Sequence, residues 1–154
     1  MANGVAMVLA PLHREFGVEA VQVITLQAVS GGGYPGVPSL DILGNVVPLP
    51  GEEEKIEREL QKMLGSIAGG TIRPASFAVS AQSHRVPVID GHTASVSVRL
   101  RKEVEPAEVV ATLQAHRGLP QQRGLHTAPA VPIIVGDQPD RPQPRGSYNG
   151  RLYL

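Results

Sequence analysis

Gln27, Arg85 and His92 are the side chains of this 154-residue chain best suited to chemistry. A guanidinium grips a carboxylate through two parallel N–H donors, and an imidazole exchanges a proton near neutral pH. An amide holds a ligand by donating and accepting at once. Arg85 and His92 share the segment RVPVIDGH, and Gln27 opens QAVSGGGYPG far upstream. Each has a plainer reading. Gln27 at the end of an apolar strand is equally a satisfied core amide. His92, in phase with the apolar face of the strand that it opens, is equally a packed or capping histidine. Glu52 and Lys55 form an i, i+3 pair, which on a helix is ordinarily solvated surface charge worth about 0.2–0.5 kcal/mol. His13, His84, His116 and His126 show no HExxH or paired spacing, so no metal site is expected. Cysteine is absent altogether, which removes both disulfides and a thiolate nucleophile.

The elements that must carry these groups can be read from hydrophobic period and punctuation. Val5 to Phe16 predicts a short helix, limited by Pro11 and stopped at Gly17. VEAVQVITLQAV over residues 18–29 predicts a strand buried on both faces. SGGGYPGVPS cannot continue it and predicts a shaped loop. A phosphate-binding reading of these glycines lacks the Walker pattern and a helix opening directly after them. A short turn or helix is expected from Leu40 to Gly44, then an extended VVPLP. Glu52 to Leu64 predicts a helix with one apolar stripe at Ile56, Leu60, Met63 and Leu64, acidic in its first turn and ended by Gly65. Phe77 to Ser83 and Val86 to Ile89 predict strand, with Asp90-Gly91 as a bulge or a hairpin turn to the next segment. From His92 to Leu100 the pattern alternates, Ala94, Val96, Val98 and Leu100 facing the core. Pro106 to Arg117 predicts a helix and Val131 to Val135 a short strand. Tyr148 and the final LYL predict a terminal extended segment.

Composition narrows the class. Hydrophobic residues at 42% and charged residues at 18% describe a globular chain of one domain, residues 1–154. Fourteen basic and fourteen acidic residues balance, so neither nucleic acid nor an anionic membrane is an expected partner. Trp is absent, and two Phe and three Tyr are too few to build stacking platforms for bases. No apolar run approaches the roughly 20 residues of a membrane span, and the opening lacks the basic start of a signal peptide. The cytoplasm is the expected compartment.

The joint order of the candidate residues resembles the aspartate-β-semialdehyde dehydrogenase family. The segments SGGGYPGVPSLDILGN, GEEEKIERE, RVPVIDGHTASVSVRL and DRPQPR look like its archaeal and fungal branch, over roughly residues 5 to 145. The resemblance implies that Gln27 orients the substrate, that Glu52 and Arg85 bind it, and that His92 is the acid–base group. It further implies that Lys55 meets phosphate and that Ser30 and Gly31 meet the cofactor. The implied fold is α+β: a mixed, largely antiparallel sheet with helices on one face, like the C-terminal domain of glyceraldehyde-3-phosphate dehydrogenase. The implied parent reaction is the NADP-dependent interconversion of aspartyl phosphate and aspartate semialdehyde. Homo-oligomers, dimer or tetramer, are the implied assembly.

The chain departs from that family in three places. Where the family opens this domain with Asn-Cys, Asn3 is followed by Gly4. No Rossmann nucleotide-binding half is present, and the closing segment reads GSYNGRLYL. A serine hydroxyl, with its high pKa, is no substitute for the thiolate. The expectation is therefore an isolated or trimmed substrate-binding and dimerisation domain, inactive alone and binding no cofactor alone, with a separate Rossmann chain as a possible partner. The alternative is a non-enzymatic oligomerisation module derived from that family.

Overall fold

The computed structural model describes residues 1–147 and 152–154. Helix α1 (Ala2–Phe16) buries Ala2, Val5, Ala6, Leu9 and Leu12, a spacing that lines one helical stripe. It starts earlier than the sequence predicts and runs through Pro11, whose ring is fully buried. Packing of that ring offsets the backbone hydrogen bond a proline removes. Gly17, at φ 71, turns the chain into β1 (Val18–Gln27).

After β1 come a 3-10 turn (Val29–Gly32), α2 (Ser39–Ile42), β2 (Val47–Pro48) and α3 (Glu52–Met63). Next follow the hairpin of β3 (Ser66–Ala68) and β4 (Thr71–Arg73), then β5 (Ala78–Arg85) and β6 (Thr93–Leu100). The chain closes through α4 (Pro106–Ala115), α5 (Leu119–Gln122), β7 (Ile133–Ile134), α6 (Pro144–Ser147) and β8 (Leu152–Tyr153). The extended segment expected at LYL is thus present, while Tyr148 lies outside the described residues.

The main sheet has the order β2-β5-β1-β6, with β1 parallel to β5 and antiparallel to β6. The architecture is α+β, its sheet largely but not wholly antiparallel. Asp90-Gly91 is not a hairpin turn between β5 and β6, because both pair with β1, on opposite sides. Residues 86–92 instead cross the end of β1, where Val29 N–H donates to Val88 O at 2.8 Å and Ser30 N–H to Ile89 O at 3.1 Å.

One face of the sheet carries the core. Val21 and Val23 of β1, Ala81 of β5 and Val98 of β6 pack there against Val5 and Leu9 of α1 and Ile56 and Leu60 of α3. The predicted phase of β6 holds, and the stripe of α3 holds at Ile56, Leu60 and Leu64 but not at Met63, which is 42% exposed. β1 is not buried on both faces, however: Gln22 and Leu26 are exposed on the opposite side. Val96 faces the helices but is 36% exposed, because β6 is an edge strand. A second cluster of Leu12, Leu113 and Ile133, with Phe16 and Leu152 against it, covers the far side of α1.

α3 also serves the sheet with its polar side. Glu57 accepts from Ala81 N–H at 3.0 Å, Glu53 from Ser83 N–H at 3.2 Å, and the Gln61 amide donates to Phe77 O at 2.9 Å. Residues 53, 57 and 61 lie at i, i+4 and i+8, one row along the helix. That row satisfies the outer edge of β5 where β2 is too short to reach.

Candidate functional site

The register of β1 and β5 sets Gln27 beside Arg85 and Thr25 beside Ser83, all four on the helix-covered face. All four are buried, Thr25 and Ser83 completely. Buried polar groups need partners. Thr25 Oγ1 donates to Ser83 Oγ at 3.1 Å, and Gln27 Nε2 donates to Thr25 Oγ1 at 3.3 Å. Since Ser83 N–H is held by Glu53, a chain of contacts runs from α3 to the Gln27 amide. Thr25, Ser83 and Glu53 escaped the sequence reading; the available signal was two hydroxyl residues in the inward phase of apolar strands.

Arg85 bends back over the end of β1, its Nη1 donating to Ala28 O at 2.8 Å. Its Nε is buried without a hydrogen-bond partner. His92 reaches the same residue from the other side, where Ala28 N–H donates to its Nδ1 at 3.3 Å. The carbonyl and N–H of one residue therefore hold both side chains. Burial, first, then the positive charges of the Met1 amino group and Arg85, push the His92 pKa below its usual 6.5. The influence of Met1 also puts the beginning of α1 within electrostatic reach of the imidazole.

Gly31 completes the cluster. A Cβ at this position would lie 2.8 Å from both Cε1 and Nε2 of His92 and 2.9 Å from Nη1 of Arg85. Only a residue without a side chain lets the 3-10 turn lie on the imidazole and the guanidinium together. Gly31, Gly33 and Gly36 formally meet the GxGxxG spacing. The spacing here leads into an exposed arm and the four-residue α2, not into a helix that could receive a pyrophosphate.

Gln27, Gly31, Arg85 and His92 are thus together, and Ser30 lies exposed on the same turn. Glu52 and Lys55 face each other instead, Lys55 Nζ 3.6 Å from Glu52 Oε1, in a solvated pair at the start of α3. Lys55 borders a groove shared with Ala2 and Asn3 at the start of α1. Gly4 lies on α1, with Leu152 of β8 3.9 Å from where its Cβ would stand. Among the described residues no three His, Asp or Glu side chains cluster as metal ligands, and no helix is long and apolar enough to cross a membrane.

Comparison with known proteins adds an independent line. The sequence profile described as semialdehyde dehydrogenase, dimerisation domain, matches residues 9–153. An aspartate-semialdehyde dehydrogenase of Methanothermobacter thermautotrophicus is 50% identical over 140 residues, covering 90% of this chain and 40% of that protein. The one from Cryptococcus neoformans is 49% identical over 156 residues, covering 96% and 43%. The crystal structure of the Candida albicans enzyme with NADP superposes at a TM-score of 0.86 with 41% identity, covering 95% and 42%. Aspartate semialdehyde dehydrogenase II of Vibrio cholerae shares the fold, at a TM-score of 0.72 and 22% identity. The chain spans about two fifths of the length of the curated relatives it matches.

Proposed function

Because the chain belongs to the aspartate-semialdehyde dehydrogenase family, through its dimerisation domain, we propose that it handles substrate and pairs subunits for that family's reaction. The parent reaction is the NADP-dependent interconversion of aspartyl phosphate and aspartate semialdehyde. In this reading residues 1–154 are one domain, built like the C-terminal half of glyceraldehyde-3-phosphate dehydrogenase. The cytoplasmic location expected from the sequence belongs to the same proposal.

Each side chain then has one task. Arg85 grips the carboxylate of an aspartate-like ligand in two-point fashion. Glu52 receives the ammonium, and Lys55 a phosphate, once their mutual pair opens. Gln27, held by Thr25, orients the bound ligand. His92 exchanges the proton. Ser30 and Gly31, exposed on their turn, would meet the cofactor, as the family resemblance implies. NADP, where bound, supplies the hydride acceptor. A nucleophile is missing from the set, because a hydroxyl without an adjacent base attacks a carbonyl poorly. By itself the chain therefore binds without turning substrate over, and a nucleotide-binding half with a thiol is the partner that would complete it.

The observation that carries this reading is the meeting of Arg85 and His92 on Ala28 and Gly31, beside Gln27. Calorimetric titration with L-aspartate tests it: wild-type protein should bind weakly and Arg85→Ala should not bind. Equal titrations for the two proteins would reject a pocket at this place. The sequence alone predicts an intact fold for Arg85→Ala. The buried contact with Ala28 O adds a stability cost of about 1–3 kcal/mol.

A second reading, an oligomerisation module without a ligand, is favoured by one feature, the uncovered face of the main sheet. Light scattering separates the two readings: a stable dimer that ignores L-aspartate supports the module.

A further inference from the structure

The arm from Gly33 to Val46 puts large apolar side chains into solvent. Tyr34 is 101% and Leu40 92% exposed, Leu43 and Val46 are exposed too, and Ile42 alone of the arm is buried. Scattered exposed leucines are ordinary, but apolar groups gathered on one projection mark a surface that another molecule covers.

The arm is shaped before anything meets it. Leu43 N–H donates to Ser39 O at 2.9 Å, Asn45 N–H to Ile42 O at 3.1 Å, and the Asn45 amide to Asp41 O at 2.9 Å. Ile42 anchors the short helix α2 inward, while Leu40 and Leu43, three residues apart, share its outward side. A projection already held in one form costs little to order on association.

The arm also returns to the main sheet in the row that holds Leu26. Leu26 of β1 lies beside His84 of β5, and His84 beside Pro48 of β2, which follows Val46 after one residue. All three belong to the face that no helix covers. That face by itself is rich in hydroxyl and amide groups, whereas homodimer interfaces are roughly 65% apolar. Leu26 with Tyr34, Leu40, Leu43 and Val46 makes up the difference. At about 60–120 Å² for each aliphatic side chain and about 150–250 Å² for the tyrosine, they supply half or more of the roughly 800 Å² that each partner of a stable pair contributes.

The match to a dimerisation domain makes a second copy of this chain the occupant. We propose that residues 33–46 are the clasp of a homodimer, in which Tyr34, Leu40 and Leu43 of each copy bury against the other, in one interface with Leu26. Two-fold symmetry makes each copy both give and receive this contact. The proposal rests on the subunit pairing proposed above and locates it.

Light scattering over a concentration series tests the clasp, with Leu40→Asp and Leu43→Asp combined in one variant. Ile67→Asp, at an exposed aliphatic of the β3–β4 hairpin, is the control. The arm variant should raise the dimer dissociation constant about a hundredfold or more, the loss of two buried anchors. The control should stay within about threefold of the wild type. A thermal melt of the dilute arm variant should match that of the wild type, because both leucines face solvent in the protomer. If it melts early, Tyr34→Ser decides: a dimer weakened about tenfold supports the clasp, and an unchanged one overturns it. A wild-type dissociation constant in the arm variant overturns the clasp but not pairing through another surface. Equal losses in arm and control overturn it too, since added charge is then the cause. A wild type that stays monomeric at every concentration overturns clasp and subunit pairing together, and leaves the arm to a different protein.

Discussion

Gly31 holds its place by having no side chain. An added methyl would press on the imidazole edge and the guanidinium at less than van der Waals distance, and both would have to withdraw. Gly31→Ala should therefore weaken L-aspartate binding by about tenfold or more under the proposed function, since it displaces at once the two groups assigned to the ligand. Its φ is not in the left-handed region and the turn is exposed, so the melting temperature should stay near that of the wild type. Calorimetry beside a thermal melt reads both, and unchanged affinity would contradict this packing. Acid stability is a second test at this scale. His92 and His116 both have folded pKa values below 6.5, His116 through burial and then the charges of Arg14 and Arg117. On acidification the unfolded chain takes up these protons first. The stability they allow is complete above about pH 6.5 and is lost as pH falls toward the folded pKa. His116→Gln should flatten the fall in melting temperature between neutral and mildly acidic pH. An unaltered slope would show that His116 is not desolvated as its surroundings imply.

Helix α3 shows how one element serves two surfaces, and how far sequence can be read. Its apolar row follows from the 3.6-residue period alone, so Ile56 and Leu60 could be placed in the core unaided. The polar row Glu53, Glu57 and Gln61 could not, because its meaning depends on which strand edge lies alongside. Glu57→Ala should cost about 1 kcal/mol by stranding the Ala81 N–H, while Glu57→Gln, which keeps an acceptor, should cost little. Denaturant melts of the two variants check this, and equal losses would deny the carboxylate its place on the edge. The same limit explains the error over Asp90-Gly91. Two consecutive strands with a Gly turn between them look like a hairpin, and only the position of β1 between them shows otherwise. The hairpin β3–β4 went unread although its signal was present: Gly69-Gly70 is a two-residue turn pair, and both glycines have positive φ. That Gln27, Arg85 and His92 would lie near one another was legible only in the order of segments that resembles the family, since strand period alone reads them as packed or capping groups. Their buried supports Thr25 and Ser83 were not, since a hydroxyl in an apolar strand names no partner until the register is known. Val96→Asp, expected from strand phase to disrupt a buried core, should cost less than full burial would imply. Its site is already 36% exposed.

At the scale of the molecule, the two sides of the main sheet differ in kind. Helices cover one; the other exposes Gln22, Leu26, Ser80, Gln82, Ser95, Ser97 and Arg99, a surface of mixed polarity. Leu26, 40% exposed on that face, is an apolar anchor of the sort buried between subunits. If two copies pair through this face, Leu26→Arg should convert the dimer to monomer in light scattering without lowering the melting temperature of the protomer. A dimer that survives would locate the subunit contact elsewhere. The chain ends bear on the site as well. Pro144 of α6 lies 3.1 Å from where a Cβ of Gly91 would stand, so the closing segment rests on the residue before His92. Truncating the Pro144 ring would thus loosen the backbone that leads into the imidazole.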